Sequence, residues 1–246
     1  MVFRKTLPVI EHNILNRDYA VLKVRDRDLA VDCRPGMFFE LKAAVESQRR
    51  KLFKPISVYA VDEEKISFLV KEVGEGTQTI IDLREGDYLH LIGPLGNAFP
   101  VVEGKSVLLV SGGVGYPPLA YLKEVLAASN QITLLHGGAC QSDVFPCDVV
   151  YTDDGSMGKP GFVTEGVKSF LEEENPDIVY SCGPVPMLKA VAALVRPVPH
   201  FVSLEAYMAC GVGVCYGCAV PVGEDYQRVC KDGPVFAADL IRWEEL

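Results

Sequence analysis

The pattern of hydrophobic and polar positions divides the chain into three stretches. In the first, up to about residue 98, short runs rich in β-branched and aromatic residues alternate with turn signals such as Arg34-Pro35-Gly36. Many short strands at regular spacing are typical of a small antiparallel β-barrel, which we expect over residues 1–98. The predicted strands are 19–24, 37–43, 56–61, 65–73 and 88–93.

From Lys105 the pattern changes to strand, glycine-rich turn and helix. Alternation of this kind predicts a doubly wound parallel α/β domain over residues 99–203, with ligands at the carboxyl ends of its strands. The predicted strands are 106–113, 131–138, 148–152 and 177–183, and the predicted helices are 117–128, 163–174 and 186–195.

The third stretch, residues 204–246, is organised around cysteines and is predicted to form a small separate module. Cys210, Cys215 and Cys218 are spaced C-x4-C-x2-C, and Cys230 follows after a short polar segment. This is the plant-type spacing of four thiolates that hold a [2Fe–2S] cluster. Intervening glycines allow the backbone to approach such a cluster and to direct N–H groups at sulfur.

Two other uses of four cysteines compete with the cluster. Structural zinc usually takes two close cysteine pairs, and here the fourth cysteine has no near neighbour. Disulfide bridges require an oxidising compartment. The spacing favours the cluster, and we interpret Cys33, Cys140 and Cys147 as ordinary thiols because no motif surrounds them.

Composition narrows the possible partners and compartments. The 246 residues carry a formal net charge of −9, which argues against a nucleic-acid partner. The first residues include basic side chains but no apolar segment of a secretory signal, and no apolar run approaches the ~20 residues of a membrane helix. We expect a cytoplasmic protein without a membrane span.

A lone cluster carries one electron at a time and cannot transfer a hydride, so a second redox group is expected; flavin is the usual converter. The segment Lys54-Pro55-Ile56-Ser57 starts a predicted strand, and Gly74-Glu75-Gly76-Thr77 ends another. The second segment can offer N–H groups and a hydroxyl to a phosphate, although a plain hairpin turn is equally consistent with it. The basic residues Arg49, Arg50 and Lys51 either assist a diphosphate or form a solvated loop.

Nucleotide-binding candidates follow strands of the second stretch. Ser111-Gly112-Gly113-Val114-Gly115 lies between a strand and a helix; it lacks the G-x-G-x-x-G pattern but still delivers a helix N-terminus, a natural seat for a pyrophosphate. Ser181-Cys182-Gly183-Pro184 and Asp153-Asp154-Gly155-Ser156 end other strands at the same predicted edge. As bare sequence, Asp-Gly-Ser is most often an ordinary loop, and a cysteine such as Cys182 is more often a small buried apolar residue than a catalytic thiol.

Taken together and in order, these motifs resemble one family. KPIS, GEGT, GPLGN (93–97), GGVGYPPL (112–119), TDDGSMGKPGFVT (152–164), SCGPVPML (181–188) and the cysteine segment are similar to the iron–sulfur flavoprotein subunit of class B dihydroorotate dehydrogenase. That subunit is a member of the ferredoxin–NADP reductase superfamily. The resemblance covers nearly the whole chain.

The resemblance implies three cofactors: FAD across the barrel, NAD on the second domain and a [2Fe–2S] cluster on the third. The implied FAD-binding residues are Lys54, Pro55, Ile56, Ser57, Val70, Lys71, Glu72, Gly76 and Thr77. The implied NAD-binding residues are Gly112, Gly113, Gly115, Cys182, Gly183 and Pro184, with Cys182 near the nicotinamide. The implied metal ligands are Cys210, Cys215, Cys218 and Cys230.

The chain departs from the family pattern in two places. Lys54 stands where the family usually has Arg, and it keeps the charge but loses the bidentate fork. Val70 stands where an aromatic residue often stacks on the flavin. In addition, residues 137–141 offer no Arg to a 2′-phosphate, which favours NAD over NADP.

The resemblance further implies an electron-transfer role in pyrimidine biosynthesis. An FMN-containing catalytic subunit would oxidise dihydroorotate, and electrons would pass through the cluster and FAD to NAD+, in a heterotetramer of two plus two subunits. We expect the subunit interface at the cluster module and residues 233–243, unless Phe236, Leu240 and Trp243 only cap the core. Two alternatives remain: the small subunit of an NADH-dependent ferredoxin–NADP oxidoreductase or sulfide dehydrogenase, and a non-redox zinc-binding module.

Overall fold

The N-terminal part of the chain forms a curled antiparallel half-barrel. The computed structural model describes residues 2–48 and 51–246, so the predicted basic residues Arg49 and Arg50 lie outside the described residues. The strands are β1 (Phe3–Ile14), β2 (Tyr19–Arg25), β3 (Phe38–Ala43), β4 (Lys54–Ser57), β5 (Ala60–Asp62), β6 (Lys65–Lys71) and β7 (Tyr88–Leu95), with helices α1 (Arg27–Asp32) and α2 (Glu75–Ile81).

The strand order is β4-β3-β7-β1-β2-β6-β5, with antiparallel pairing throughout. Among the described residues the edge strands β4 and β5 do not pair with each other, so the sheet is a half-barrel where a small antiparallel barrel is predicted. Apolar residues of the concave face fill the interior, and Phe39 meets Phe68 edge to face with ring centroids 5.4 Å apart. This interior supports β4 and α2, where the FAD candidates lie.

A second seven-stranded sheet follows and is almost entirely parallel. Its strands are β8 (Ser106–Gly112), β9 (Gln131–Gly138), β10 (Val149–Thr152), β11 (Lys159–Pro160), β12 (Ile178–Cys182), β13 (His200–Ser203) and β16 (Val235–Ala237). Its helices are α3 (Tyr116–Leu126), α4 (Val163–Glu173) and α5 (Val185–Leu194). The order is β11-β10-β9-β8-β12-β13-β16, and β16 alone runs antiparallel.

Helices cover both faces of this sheet, as the predicted doubly wound arrangement requires. Leu109 packs with Leu119 of α3 on one face, whereas Leu108 packs with Val167 of α4 and Val191 of α5 on the other. Successive residues of a strand point to opposite faces, so a continuous apolar run is needed when both faces are covered. The run 107–110 meets this need.

The cysteine segment is less separate than the predicted boundary at residue 204 suggests. Its regular part is a hairpin of β14 (Ala219–Val222) and β15 (Asp225–Arg228). After the hairpin the chain returns to the second sheet, where β16 pairs with β13. The described part of the chain contains no helix with the length and apolar character of a membrane span.

The half-barrel and the α/β unit share an apolar core. Tyr19 of β2 and Leu69 of β6 point away from the half-barrel interior and pack with Tyr116 and Phe145 of the α/β unit. The Phe145 ring stacks on Tyr116 at 4.9 Å and meets Tyr19 edge-on at 5.0 Å. Burying aromatic surface in this way stabilises the contact between the two units.

Candidate cofactor sites

The predicted NAD-binding turns meet at the point where the strand order reverses. Strands β8 and β12 are neighbours, and the chain leaves them in opposite directions across the sheet. Their turns pack on each other: a Cβ on Gly112 would lie 2.6 Å from Met187 Sδ, and one on Gly183 would lie 3.0 Å from the Gly112 nitrogen. Gly183 also has a φ of 154°, which favours glycine. Such a crevice is the usual ligand site of a doubly wound sheet.

The backbone N–H donors in this crevice come from the glycine-rich turn before α3 more than from α3 itself. Pro117 and Pro118 occupy the first turn of α3 and have no N–H, and no side chain caps that end. A Cβ on Gly113 would meet no atom within 4 Å, so the backbone there faces open space. The N–H groups available to a phosphate are therefore those of residues 113–115, rather than those of the predicted helix N-terminus.

Cys182 lies at the crevice but its side chain does not open into it. The thiol is buried in the core shared with the half-barrel. Burial raises its pKa well above the ordinary value, and Glu205 adds to the effect. The thiol is thus held protonated, as expected of a packing residue and not of a nucleophile.

Two of the predicted FAD residues, Lys54 and Gly76, are in direct contact. The stem of the Lys54 side chain occupies the space that a Cβ on Gly76 would fill, and Nζ lies 3.2 Å from that position. Within the described part of the chain the Lys54 ammonium has no hydrogen bond or ion pair. An unpaired cation beside a glycine leaves room for an anionic ligand.

The segment Gly74-Glu75-Gly76-Thr77 forms the first turn of α2, not a hairpin turn. Gly74 precedes the helix with a φ of 155°, and no side chain caps the helix. The Thr77 hydroxyl accepts from the Val73 N–H at 2.9 Å and donates to the Gly74 carbonyl at 3.0 Å. Thr77 therefore closes the turn with its hydroxyl, and the groups left for a diphosphate are backbone N–H groups.

The side chains of Val70 and Lys71 are engaged within the protein and are not free to contact a flavin. Val70 is fully buried in the half-barrel core, so only its backbone is available to border a flavin. Lys71 forms an ion pair with Asp143 at 2.7 Å, and Glu72 is placed by a backbone hydrogen bond to Asp18 at 2.7 Å. Pro55, Ile56 and Ser57 lie on β4, whose outer edge is unpaired among the described residues.

The four predicted cluster ligands come from the loop before β14 and the turn after β15. Cys218 and Cys230 are buried, with the Cys230 N–H donating to Cys218 Sγ at 3.4 Å. Cys215 is exposed and accepts from the Gly217 N–H at 3.5 Å. None of the eight cysteines forms a disulfide in this structure.

The loop favours a thiolate at Cys210, whereas burial and the neighbouring Cys218 raise the pKa of Cys230 to about 12. Burial opposes ionisation of Cys210, but N–H groups of Val212, Cys215 and Val214 and the Cys215 thiol outweigh it and lower the Cys210 pKa to about 6. Within residues 2–48 and 51–246 no three His, Cys, Asp or Glu side chains converge on one metal ion. A [2Fe–2S] cluster divides its thiolates between two irons, and four cysteines with sulfur-directed N–H groups fit it.

Sequence reasoning missed Glu40, which lies between the two cofactor candidates. This carboxyl on β3 is 1% exposed, and neither oxygen has a hydrogen-bond partner among the described residues. Burial raises its pKa to about 7; Cys210 adds to the rise and Lys54 opposes it. The only signal in the sequence is a single acidic residue inside the apolar run 37–43.

An apolar rim surrounds the cysteines at the surface. We define this rim by its members, which are exposed by 40 to 98%: Tyr207, Val212, Val214 and Tyr216. In the tail, Phe236 is buried and the Trp243 indole donates to the Ala238 carbonyl at 3.0 Å, whereas Leu240 is half exposed. Most of the tail therefore caps the core, and the rim is the larger exposed apolar surface near the cysteines.

Comparison with known proteins places the chain in a family. Residues 205–242 match the model of the iron–sulfur cluster binding domain of dihydroorotate dehydrogenase B. The electron transfer subunit of dihydroorotate dehydrogenase B (NAD(+)) of Caldanaerobacter subterraneus is 42% identical over 223 residues, which are 84% of this chain and 86% of that protein. The same subunit of Shouchella clausii is 37% identical over 94% of this chain and 95% of its own length.

A solved structure shares the overall architecture. The structure of the NADH-dependent reduced ferredoxin–NADP oxidoreductase, described in connection with flavin-based electron bifurcation, superposes with a TM-score of 0.87 and 28% identity. The match covers 98% of this chain and 91% of that one. With relatives at 37 to 42% identity along most of its length, the chain belongs to the family of electron transfer subunits of NAD-dependent dihydroorotate dehydrogenase B.

Proposed function

We propose that this chain passes electrons from an FMN-containing dihydroorotate dehydrogenase catalytic subunit through a [2Fe–2S] cluster and FAD to NAD+. One observation carries the proposal. The parts of the chain that hold the three candidate sites pack against one another through shared apolar cores; these sites are the cysteine loop, the Lys54–Gly76 contact and the β8–β12 crevice. When bound, the cluster supplies one-electron steps and FAD converts them to hydride transfer.

The residues of this chain bind, orient and shield the cofactors. The Lys54 ammonium and the open first turn of α2 neutralise the FAD diphosphate. The N–H groups of residues 113–115 bind the NAD phosphates, while Gly183 and Pro184 position the nicotinamide. Cys210, Cys215, Cys218 and Cys230 ligate the irons. The remaining FAD contacts are assigned to Pro55–Ser57 and to the backbone of residues 70–72.

The apolar rim is the proposed docking surface for the catalytic subunit. Exposed aromatic and aliphatic side chains next to a redox centre exclude water when a partner covers them, and aromatic residues are enriched in interfaces. We propose two copies of each subunit and a cytoplasmic location, where a reducing environment disfavours disulfide bridges. The domains act as an FAD-binding unit up to residue 98, an NAD-binding unit up to 203 and a cluster module thereafter.

The structural similarity to a ferredoxin–NADP oxidoreductase supports a second candidate, an NADH-dependent oxidoreductase subunit with another partner. The higher identity to the dihydroorotate dehydrogenase B subunits favours the first. Reconstitution separates the two. Activity from dihydroorotate to NAD+ with a dihydroorotate dehydrogenase catalytic subunit supports the first, and reduction of NADP+ through a ferredoxin-linked partner instead supports the second.

The cofactor assignment is tested by changing each cluster cysteine to serine. The anaerobically purified protein should show flavin bands and iron–sulfur absorbance, both bleached by NADH. Cys218→Ser should remove iron, sulfide and the EPR signal of the reduced cluster while keeping FAD reduction by NADH. Cys147→Ser, which changes a half-buried cysteine outside the loop, is the matched control and should keep the cluster. A colourless, zinc-containing wild-type protein would contradict the proposal.

A further inference from the structure

The side chain of Arg228 joins two parts of the cysteine loop that are separated along the chain by a hairpin. Arg228 is the last residue of β15 and lies two residues before Cys230. Its Nη1 donates to the Gly213 carbonyl at 2.8 Å, in the segment that leads to Cys215. Its Nε and Nη2 donate to the two carboxylate oxygens of Asp232 at 2.8 and 3.0 Å. One guanidinium therefore connects the segment that carries the first ligands to the turn that carries the last.

The same guanidinium lies against Tyr216, which stands between Cys215 and Cys218. The Arg228 Cζ atom is 4.9 Å from the centre of the Tyr216 ring, within the range of a cation–π contact. Tyr216 has a φ of 58°, in the left-handed region that a residue with a side chain rarely adopts. Such a conformation persists where neighbouring contacts fix it. The contact with Arg228 thus holds in place a strained residue between two of the ligands.

The turn that carries Cys230 fixes the position of Arg228. The backbone N–H groups of residues 231–233 all donate to the Arg228 carbonyl, at 2.8 to 3.2 Å. Asp232 Oδ2 also accepts from the Arg228 backbone N–H at 2.9 Å, so this carboxylate holds both the backbone and the side chain of Arg228. A planar fork with five donors can satisfy Asp232 and the Gly213 carbonyl at once, which the compact ammonium of a lysine cannot do in the same geometry.

An ion pair that only stabilises the hairpin would explain part of this arrangement. An exposed Arg–Asp pair four residues apart adds little to stability. It needs neither the bond to Gly213 nor the contact with Tyr216, which both lie within residues 210–218. Lys231 adds to the same junction, since a Cβ on Gly213 would lie 2.6 Å from Lys231 Cδ. These contacts converge on the cysteine loop, which indicates a role in shaping it.

We propose that Arg228 is a positioning residue for the [2Fe–2S] cluster: it fixes the cysteine loop in the shape that binds the two irons and thereby slows loss of the cluster. This inference rests on the proposed function. Arg228 acts through the backbone at Gly213 and the ring of Tyr216, and Asp232 keeps it there. Replacing a residue that orients the ligands of a metal site typically lowers metal affinity by roughly tenfold or more.

Two substitutions in the full-length holoprotein separate the fork from the charge: Arg228→Lys and Arg228→Gln. Lys keeps the positive charge but loses the fork, and Gln loses both. Iron release from the anaerobically purified protein to a chelator should be at least about tenfold faster in both variants. The EPR g values of the dithionite-reduced cluster should also shift, because they report the geometry of the ligands. A role in hairpin stability alone would not change these g values.

Arg242 provides a matched control at the opposite end of the same hairpin. Its guanidinium pairs with Glu245, donates to the Gly223 carbonyl at 2.6 Å and lies 5.3 Å from the Tyr226 ring. It therefore makes the same kinds of contact away from the cysteines. Arg242→Lys should release iron at the wild-type rate and keep the wild-type g values. FAD content and flavin bleaching by NADH should be unchanged in all three variants, which shows that the chain is folded.

A further variant, Asp232→Asn, tests the same contact if an Arg228 variant loses its FAD. It removes the charge and one of the two acceptor oxygens that hold the fork, so iron release should again be faster. A wild-type rate in Asp232→Asn would then contradict the inference.

Different results overturn different claims. Wild-type iron release and g values in both Arg228 variants would overturn the positioning role and leave the proposed function standing. Equal acceleration in Arg242→Lys would assign the effect to the hairpin as a whole, and a wild-type rate in Arg228→Lys alone would assign it to charge; both results contradict the inference. A wild-type protein that binds no cluster would overturn the proposed function and this inference together.

Discussion

Lys54 and Gly76 illustrate how two residues far apart in sequence make one binding feature. The glycine matters because it has no side chain: the Lys54 stem occupies the place of its Cβ, and the ammonium is left without a partner among the described residues. A lysine in this position supplies a point charge instead of a fork, so its placement has to be fixed by contact.

We predict that Gly76→Ala weakens FAD binding about tenfold, or ~1.4 kcal/mol. The added methyl group displaces the Lys54 stem and moves the ammonium. Stability should not fall, because alanine favours the helix over glycine by ~1 kcal/mol. FAD affinity is measured by fluorescence titration of the apoprotein. In a Lys54→Ala background the same change should add no further loss; a full additional tenfold loss would contradict the role of the contact.

At the scale of single residues, the sequence predicts ligands that lie close together along the chain. It does not predict a residue whose burial depends on a segment far away in sequence. The C-x4-C-x2-C segment can be recognised because its geometry is set within nine residues. Glu40 cannot, since its burial depends on Gly211 in a distant loop. The side-chain orientations of Val70 and Lys71 likewise cannot be predicted from the sequence. Strand β6 is covered on both faces, so polar and apolar residues do not alternate along it.

Among the elements, turns and strand pairs determine how the nucleotide crevice is built. A Cβ on Gly115 would overlap the backbone carbonyl of Cys182, so the two turns can approach each other only because position 115 is glycine. This contact joins the ends of β8 and β12, which define the crevice.

We predict that Gly115→Ala raises the Kd for NADH at least tenfold and lowers the free energy of unfolding by ~2 kcal/mol, the cost of overpacking a tight contact. FAD content and reduction by dithionite should not change. Gly104→Ala is the control: at φ 66° it carries backbone strain, but its Cβ would meet nothing within 4 Å. Wild-type NADH affinity in Gly115→Ala would refute the packing argument.

Strand pairing also buries a histidine between β12 and β13. His200 Nε2 is hydrogen-bonded to the Ser181 hydroxyl at 2.7 Å, and Nδ1 has no partner in the described part of the chain. Burial lowers the His200 pKa to about 4. The folded protein therefore keeps the ring neutral at pH values where the unfolded chain takes up a proton.

The stabilising effect of a neutral His200 should be complete above pH ~6.5 and lost as the pH falls toward 4, at ~1.4 kcal/mol per pH unit. Over that window the loss is ~3 kcal/mol. Urea unfolding of wild type and His200→Gln at pH 7 and pH 4 measures it: the advantage of the wild type should shrink by about this amount at the lower pH. An advantage that is independent of pH would refute the assignment.

The elements most easily predicted were those with strong apolar runs. All four predicted parallel strands are present, as are the three predicted helices. Strand β1 escapes prediction from sequence because Val9 alone among its residues is buried and Pro8 interrupts the pattern. Strand β16 was missed because its pairing with β13 follows a long excursion through the cysteine loop. Helix α2 was interpreted as a turn because two glycines disfavour helix locally.

In the whole molecule, the half-barrel and the α/β unit are joined by a buried polar contact as well as by the aromatic contact. Asp143 accepts hydrogen bonds from the Tyr19 hydroxyl and Lys71 ammonium, each at 2.7 Å. Burial alone would raise the Asp143 pKa, but these hydrogen bonds outweigh it and lower the pKa. Both partners belong to the half-barrel, and Asp143 belongs to the α/β unit.

We predict that Asp143→Ala lowers the free energy of unfolding by ~3 kcal/mol, as expected when one partner of a buried ion pair is removed. Guanidinium unfolding monitored by far-UV circular dichroism measures the change. Glu244→Ala removes an exposed partner of Lys189 and should cost under ~1 kcal/mol. Equal effects of the two substitutions would show that the Asp143 link does not join the units.

The apolar contact made by β2 and β6 also bears on how such chains recombine during evolution. Tyr19, Val21 and Leu69 belong to the half-barrel but are buried against the α/β unit. A crossover near residue 98 would pair these side chains with a foreign surface, whereas a crossover within the cysteine loop would leave them with their own. The flavin and nucleotide units should therefore be inherited as one block, and an engineered chimera that exchanges only one of them must carry all three positions with it.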